Sequence, residues 1–229
     1  MSTFGFEYEA EISTRPEKSI GTDDMWEHAT ESLKEACARR GLAYDINEGD
    51  GAFYGPKIDF HLRDSLGRTW QCGTIQLDFQ MPLNFGLEYI AEDGSRQRPI
   101  MIHRVCFGSI ERFIGILTEH FAGKFPTWLA PTQVKVLPVS DKSMDYAKEV
   151  YEALREKMIR CELDTRNEKI GYKIRAAQQV DRVPYMLVLG AKEAEAGNIS
   201  VRDRKGETTE MSLEDFIAKV TTEIRTRSL

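Results

Sequence analysis

Along residues 103–117, HRVCFGSIERFIGIL, the apolar positions Ile110, Phe113, Ile114 and Leu117, continued by Phe121, recur at the i, i+3, i+4, i+7 spacing of a helix with one core-facing stripe. Gly108 and Ser109 stand where such a helix starts. A second helix is expected over 22–41, with Thr22 as N-cap, Asp23 and Asp24 in the first turn and Gly41 past its end. KIDFHLR (57–63) and RTWQCGTIQLDF (68–79), joined by DSLG, predict a hairpin, and PIMIHRVCF (99–107) predicts a strand that feeds the helix at 110. These elements describe an antiparallel sheet carrying a long helix, an α+β arrangement.

The period changes after KFPTWLAPTQ (124–133), whose two prolines and turn-prone residues mark a boundary. Strands are expected at QVKVLPVS, RCELDT, VPYMLVLG and NISVRD, with helices at SMDYAKEVYEALREKM, EKIGYKIRAAQQ and SLEDFIAKVTTEIR. That alternation predicts a small α/β domain with a largely parallel sheet. The expected domains are therefore 1–130 and 131–229.

Composition narrows the class. With 41% hydrophobic and 30% charged residues, a 229-residue chain can bury one or two real cores. No apolar run approaches the ~18 residues of a spanning helix, and the acidic start lacks an apolar leader, so a cytoplasmic protein without a membrane partner is expected. The net charge of −6 divides into −7 for residues 1–130 and +1 for 131–229. That sign argues against non-specific nucleic-acid binding but leaves a local basic patch, RNEKIGYKIR at 166–175. Cys37, Cys72, Cys106 and Cys161 form no C-x-x-C pair, which points to reduced thiols and away from an all-cysteine metal site.

Four features exceed what the elements require. Arg112 sits in the first turn of its helix, where the macrodipole disfavours a cation, and no carboxylate lies three or four residues away, so an anion from elsewhere is wanted. In EGDGAFYGPKIDF (48–60), three glycines and a proline form either an ordinary turn or a loop that lets backbone approach a ligand, with Tyr54 and Lys57 at its mouth. Gln71 and Gln76 differ by an odd number of residues, so they share a site only if a bulge near Gly73 reconciles them. Spacing alone leaves His103 undecided between a satisfied polar residue and a metal ligand.

STRPE, GAFYGPKIDF, QCGTIQLDF, HRVCFGSIERFIGILTEHFAGKFPTWLAP and TRNEKIGYKIR…RVPYMLVLGAKE together resemble the C-terminal half of a bacterial-type threonyl-tRNA synthetase, over essentially the whole chain. The resemblance implies part of a class II antiparallel catalytic sheet in 1–130 and an α/β anticodon-binding domain in 131–229. It implies threonine–tRNA ligase activity, with threonine, ATP with magnesium and tRNA(Thr) as substrates. Arg112 matches the third-motif arginine that binds ATP phosphate, and Ser109 at the helix start can add a donor. Tyr54, Lys57 and Gln76 match the threonine pocket, Lys57 with Arg112 among the catalytic positions, and Gln71 matches a nucleotide contact. His103 matches one of three ligands of a catalytic zinc, a metal able to engage the substrate hydroxyl and so reject valine. Asn167, Lys169, Arg175, Lys192, Glu193 and Arg202 match anticodon contacts. The family's first and second motifs, including its homodimer contact, the other two zinc ligands and the editing domain have no counterpart here. A non-catalytic tRNA-binding module is therefore the alternative expectation.

Overall fold

Register decides what the hairpin can do. The structure is a computed structural model describing residues 1–229, which divide into two units, Met1–Glu119 and His120–Leu229. Unit 1 contains β1 (Tyr8–Ser13), α1 (Asp23–Arg39), β2 (Asp45–Asn47), β3 (Lys57–Arg63), β4 (Thr69–Asp78), α2 (Gln80–Asn84), β5 (Tyr89–Ile90), β6 (Arg96–Gln97), β7 (Met101–Val105) and α3 (Ile110–His120). Its main sheet runs β2-β1-β3-β4-β7, antiparallel except for the β1–β2 edge, while β5 and β6 form a separate ribbon. The hairpin is β3–β4, as expected from the alternation. β1, whose Glu9 and Glu11 alternate with Ala10 and Ile12, is a strand that the acidic start concealed.

The Thr22 hydroxyl caps α1 by accepting from Met25 N–H at 3.3 Å. The buried stripe Trp26, Ala29, Leu33 and Cys37 packs α1 on Ala10, Ile12, Ile58 and Leu77. Burial of each large apolar side chain there contributes about 1.5–3 kcal/mol. Residues of opposite parity, Glu11, Lys57, Asp59 and Gln76, consequently share the other, polar face of the sheet.

Along that face the ladder shifts once. Phe60 pairs with Gly73 but His61 pairs with Gln71, leaving Cys72 as an extra residue in β4. A Cβ on Gly73 would sit 3.2 Å from the Phe60 ring, so glycine fits the crowded bulge.

The stripe expected on α3 is only partly buried. Phe113 and Leu117 are buried with Ile116, whereas Ile110 and Ile114 are 54% and 55% exposed. The helix is rotated so that the adjacent row meets Phe4, Phe6 and Phe107, whose rings pack on Phe113.

Unit 2 contains β8 (Val134–Pro138), α4 (Met144–Glu156), β9 (Cys161–Leu163), α5 (Ile170–Arg175), a π turn at Ala176–Val180, β10 (Tyr185–Leu189), α6 (Ala191–Ala196), β11 (Ile199–Asp203), β12 (Thr208–Met211) and α7 (Leu213–Thr226). The order is β12-β11-β10-β8-β9. Only β9, β8 and β10 are parallel, so the sheet is mixed rather than largely parallel. The connection from β10 to β11, occupied by the short α6, is below the dozen or so residues that a parallel crossover needs. Val134, Val136, Leu187, Leu189, Phe216 and Val220 form the core under α4 and α7. Residues 120–132 belong to this unit: Arg160 donates to the Trp128 and Ala130 carbonyls at 2.9 Å, and Arg204 to that of Lys124 at 2.9 Å.

Candidate functional site

The bulge brings the two glutamines together. Beyond it Gln71 pairs with His61, before it Gln76 pairs with Lys57 and with His103 of β7, and all these positions share the polar face. A cavity of about 620 Å³ opens there, lined by Lys57, Gln71, Thr74, Gln76 and His103 among others. Tyr54 reaches the same group, since its hydroxyl donates to Gln76 Oε1 at 3.3 Å. Gly55 makes this loop possible: a Cβ there would lie 2.0 Å from the Leu77 carbonyl oxygen.

Two buried carboxylates hold this wall, and neither was singled out in the sequence. Asp59, 1% exposed, pairs with Lys57 Nζ at 2.7 Å and accepts from Gln71 Nε2 at 2.5 Å and Thr74 Oγ1 at 2.7 Å. Asp50 adds a second anion at 3.2 Å from Lys57. Burial works to lower the pKa of the Lys57 ammonium, but the two carboxylates outweigh it and hold the value above the usual lysine range. Lys57 is therefore a fixed cation. Asp78, 3% exposed, accepts from the backbone of Gln80 and Met81 through Oδ1 and meets His103 Nε2 at 2.7 Å through Oδ2. In sequence, each looks like one more polar residue of an alternating strand.

Arg112 and Ser109, which the resemblance groups with Gln71 at the nucleotide, do not line the cavity. The Arg112 guanidinium rests 5.7 Å from the centroid of Trp70. Trp70 pairs with buried Leu62, on the face opposite to Gln71, and its indole N–H donates to Asp64 at 2.8 Å. Arg112 thus stacks on a residue whose strand position belongs to the face opposite to Gln71. Ser109 Oγ accepts from Arg112 N–H at 3.4 Å and donates to Glu111 at 2.9 Å, closing the start of α3.

The residues present do not amount to a zinc site around His103. A catalytic zinc takes three protein ligands. The one group of His, Cys, Asp or Glu side chains close enough to share an ion is Glu11, Asp59 and His61, which excludes His103.

In unit 2 the parallel strands β9, β8 and β10 end on one side, the usual binding edge of an open α/β sheet. Asn167 and Lys169 follow β9, exposed, with Lys169 as the N-cap of α5. Lys192 and Glu193 follow β10 on α6. Lys192 pairs with Glu210 at 2.9 Å, and Glu193 accepts from Gly190 N–H at 2.8 Å. Arg175 is exposed at the end of α5. Arg202 pairs with Met186 towards the start of β10 and has a buried Nε without a hydrogen-bond partner.

Comparison with known proteins gives a consistent set of likenesses. Residues 5–121 match the tRNA synthetase class II core domain (G, H, P, S and T), and residues 133–223 match an anticodon binding domain. The threonine–tRNA ligase of Caldanaerobacter subterraneus subsp. tengcongensis is 65% identical over 99% of this chain and 35% of its own length. That of Clostridioides difficile is 64% identical over 98% of this chain and 35% of its own length. The chain thus spans about a third of the length of these relatives. Among solved structures, the RNA binding domain of threonyl-tRNA synthetase from Cryptosporidium parvum Iowa II superposes with a TM-score of 0.89 at 39% identity, covering 96% of this chain and 56% of that one. A putative threonyl-tRNA synthetase from Aeropyrum pernix gives 0.76 at 27% identity, covering 96% and 55%.

Proposed function

We propose, for a chain that belongs to the class II tRNA synthetase core family (G, H, P, S and T), that it is the part of a cytoplasmic threonine–tRNA ligase that carries one wall of the active site and the anticodon-reading domain. The observation that carries this reading is the bulge at Cys72, which puts Lys57, Gln71, Gln76 and His103 on one wall of one cavity. In this reading Tyr54, Lys57 and Gln76 hold threonine, while Gln71, Ser109 and Arg112 serve ATP with its magnesium. Lys57, a fixed cation, and Arg112 stabilise the charge that develops as the carboxylate attacks the α-phosphate.

The position of Arg112 is compatible with that role on energetic grounds. A cation–π contact at an exposed site is worth about 0.5–1 kcal/mol. A charge-assisted hydrogen bond is worth about 1.5–3 kcal/mol, so a triphosphate can draw the guanidinium off Trp70. His103 would enter as one zinc ligand, oriented by Asp78, with the remaining ligands coming from outside this chain. In 131–229, Asn167, Lys169, Arg175, Lys192, Glu193 and Arg202 serve the anticodon of tRNA(Thr). The edge at which β8, β9 and β10 end supports that assignment for Asn167, Lys169, Lys192 and Glu193, which follow β9 and β10, whereas Arg202 stands towards the start of β10 and is assigned on the resemblance alone.

The test is threonine-dependent ATP–pyrophosphate exchange by this chain alone and with the preceding part of a threonine–tRNA ligase added in trans. We expect exchange only in the second case, because losing even one preorganised donor costs about 10²–10³ in rate. Binding of tRNA(Thr) without exchange in either case would favour the non-catalytic tRNA-binding module.

A further inference from the structure

Asp59 does more than neutralise Lys57. A carboxylate accepts hydrogen bonds and donates none. The end of the Gln71 carboxamide that lies 2.5 Å from Asp59 Oδ1 is therefore its NH₂, and the same nitrogen lies 3.2 Å from Thr74 Oγ1. Both N–H bonds are committed to the wall, which leaves Oε1 as the end turned to the cavity. Gln76 is arranged in the opposite sense: its Oε1 receives the Tyr54 hydroxyl, and its buried Nε2 has no partner. Of the two carboxamides, Gln71 is therefore the one that turns a free acceptor to the cavity, since the Gln76 oxygen is taken by Tyr54 and its nitrogen is buried.

We infer that Asp59 is a positioning residue of this cavity, fixing Gln71 with its NH₂ inward and its carbonyl outward, so that the ligand group met there must be a hydrogen-bond donor. In the nucleotide reading, on which the identity of that donor rests, it is a ribose hydroxyl. A phosphate or carboxylate oxygen at the same point would meet oxygen against oxygen. Lys57 keeps the arrangement affordable, since a carboxylate buried without its cation would be strongly penalised.

The experiment uses the full chain with isotope-labelled glutamine side chains, followed by nuclear magnetic resonance. The NH₂ pair assigned to Gln71 by its disappearance in Gln71→Met should be resolved and exchange with water about tenfold or more slowly than exposed carboxamides. Asp59→Asn should collapse the pair and abolish that protection. Asp59→Glu should restore part of it, and Thr74→Val should leave most of it. A wild-type Gln71 pair exchanging as fast as a surface glutamine overturns the inference without any variant. So does an unchanged pair in an otherwise native Asp59→Asn spectrum. Adenosine and 2′,3′-dideoxyadenosine are then titrated into the wild type, and only adenosine should shift the Gln71 carbonyl carbon. Equal shifts overturn the selection of a donor, whereas no shift with either, with protection intact, overturns the nucleotide reading and leaves the positioning role standing.

Discussion

Asp164 is 4% exposed at the exit of β9, and its oxygens accept from Arg166 Nη2 at 2.6 Å, Nε at 2.9 Å and N–H at 3.1 Å. The Arg166 guanidinium holds its pKa below the usual carboxylate value, against the opposing effect of burial. Because the folded value lies below the unfolded one, this stabilisation is complete above about pH 4 and is lost as pH falls through the folded value. Urea midpoints for the wild type should therefore fall as pH is lowered from about 4 through the folded value. Asp164→Asn should be less stable by about 1–3 kcal/mol at pH 7 and show a flatter acid limb; an unchanged acid limb would assign the effect elsewhere. At this scale the sequence revealed residue types better than partners. Tyr54, Lys57, Gln71, Gln76 and His103 were legible as candidates, but Asp59 and Asp78 were not. A carboxylate at a strand position looks solvent-facing until register shows what stands opposite, and Arg112 was placed without knowledge of Trp70.

One substitution, glycine to alanine, should change sign between two elements. At Gly55 the added methyl would lie 2.0 Å from the Leu77 carbonyl oxygen, so the loop must move and Gly55→Ala should cost about 1–3 kcal/mol. At Gly115, inside α3, nothing lies within 4 Å, and Gly115→Ala should stabilise by about 0.5–1 kcal/mol through helix propensity. Chemical denaturation of both variants checks the pair, and two shifts of the same sign would refute it. α1, the β3–β4 hairpin, α4 and α7 were legible because amphipathic period and capping agree. α6 and β12 were not, because six residues of AKEAEA and four of TTEM are too short and too polar to show a period. The antiparallel turn of β11 followed from the length of the α6 connection, which periodicity does not report.

At the scale of the whole chain, the stretch that sounded like a linker is held by side chains of unit 2. Gln133 is fully buried and donates to the Thr127 carbonyl at 2.8 Å, while the Thr127 hydroxyl donates to Glu223 at 2.7 Å. A fragment of residues 120–229 should therefore be more stable than one of 131–229 by at least about 2 kcal/mol, since the shorter one strands the Gln133 amide and the Arg160 guanidinium. Thermal melts of the two fragments decide this, and equal midpoints would show that 120–130 contributes nothing. Chain length carries meaning at one further place. Everywhere else in 69–78 the loss of one residue would invert half of β4, turning its ligand-facing side chains into the core. At the bulge, Cys72–Gly73, the count is already odd, so a deletion of either residue restores strict alternation and leaves Gln71 and Gln76 in phase. The bulge thereby makes β4 a strand whose spelling tolerates a missing letter at one place, and a deletion that survives in this family's chemistry is expected there.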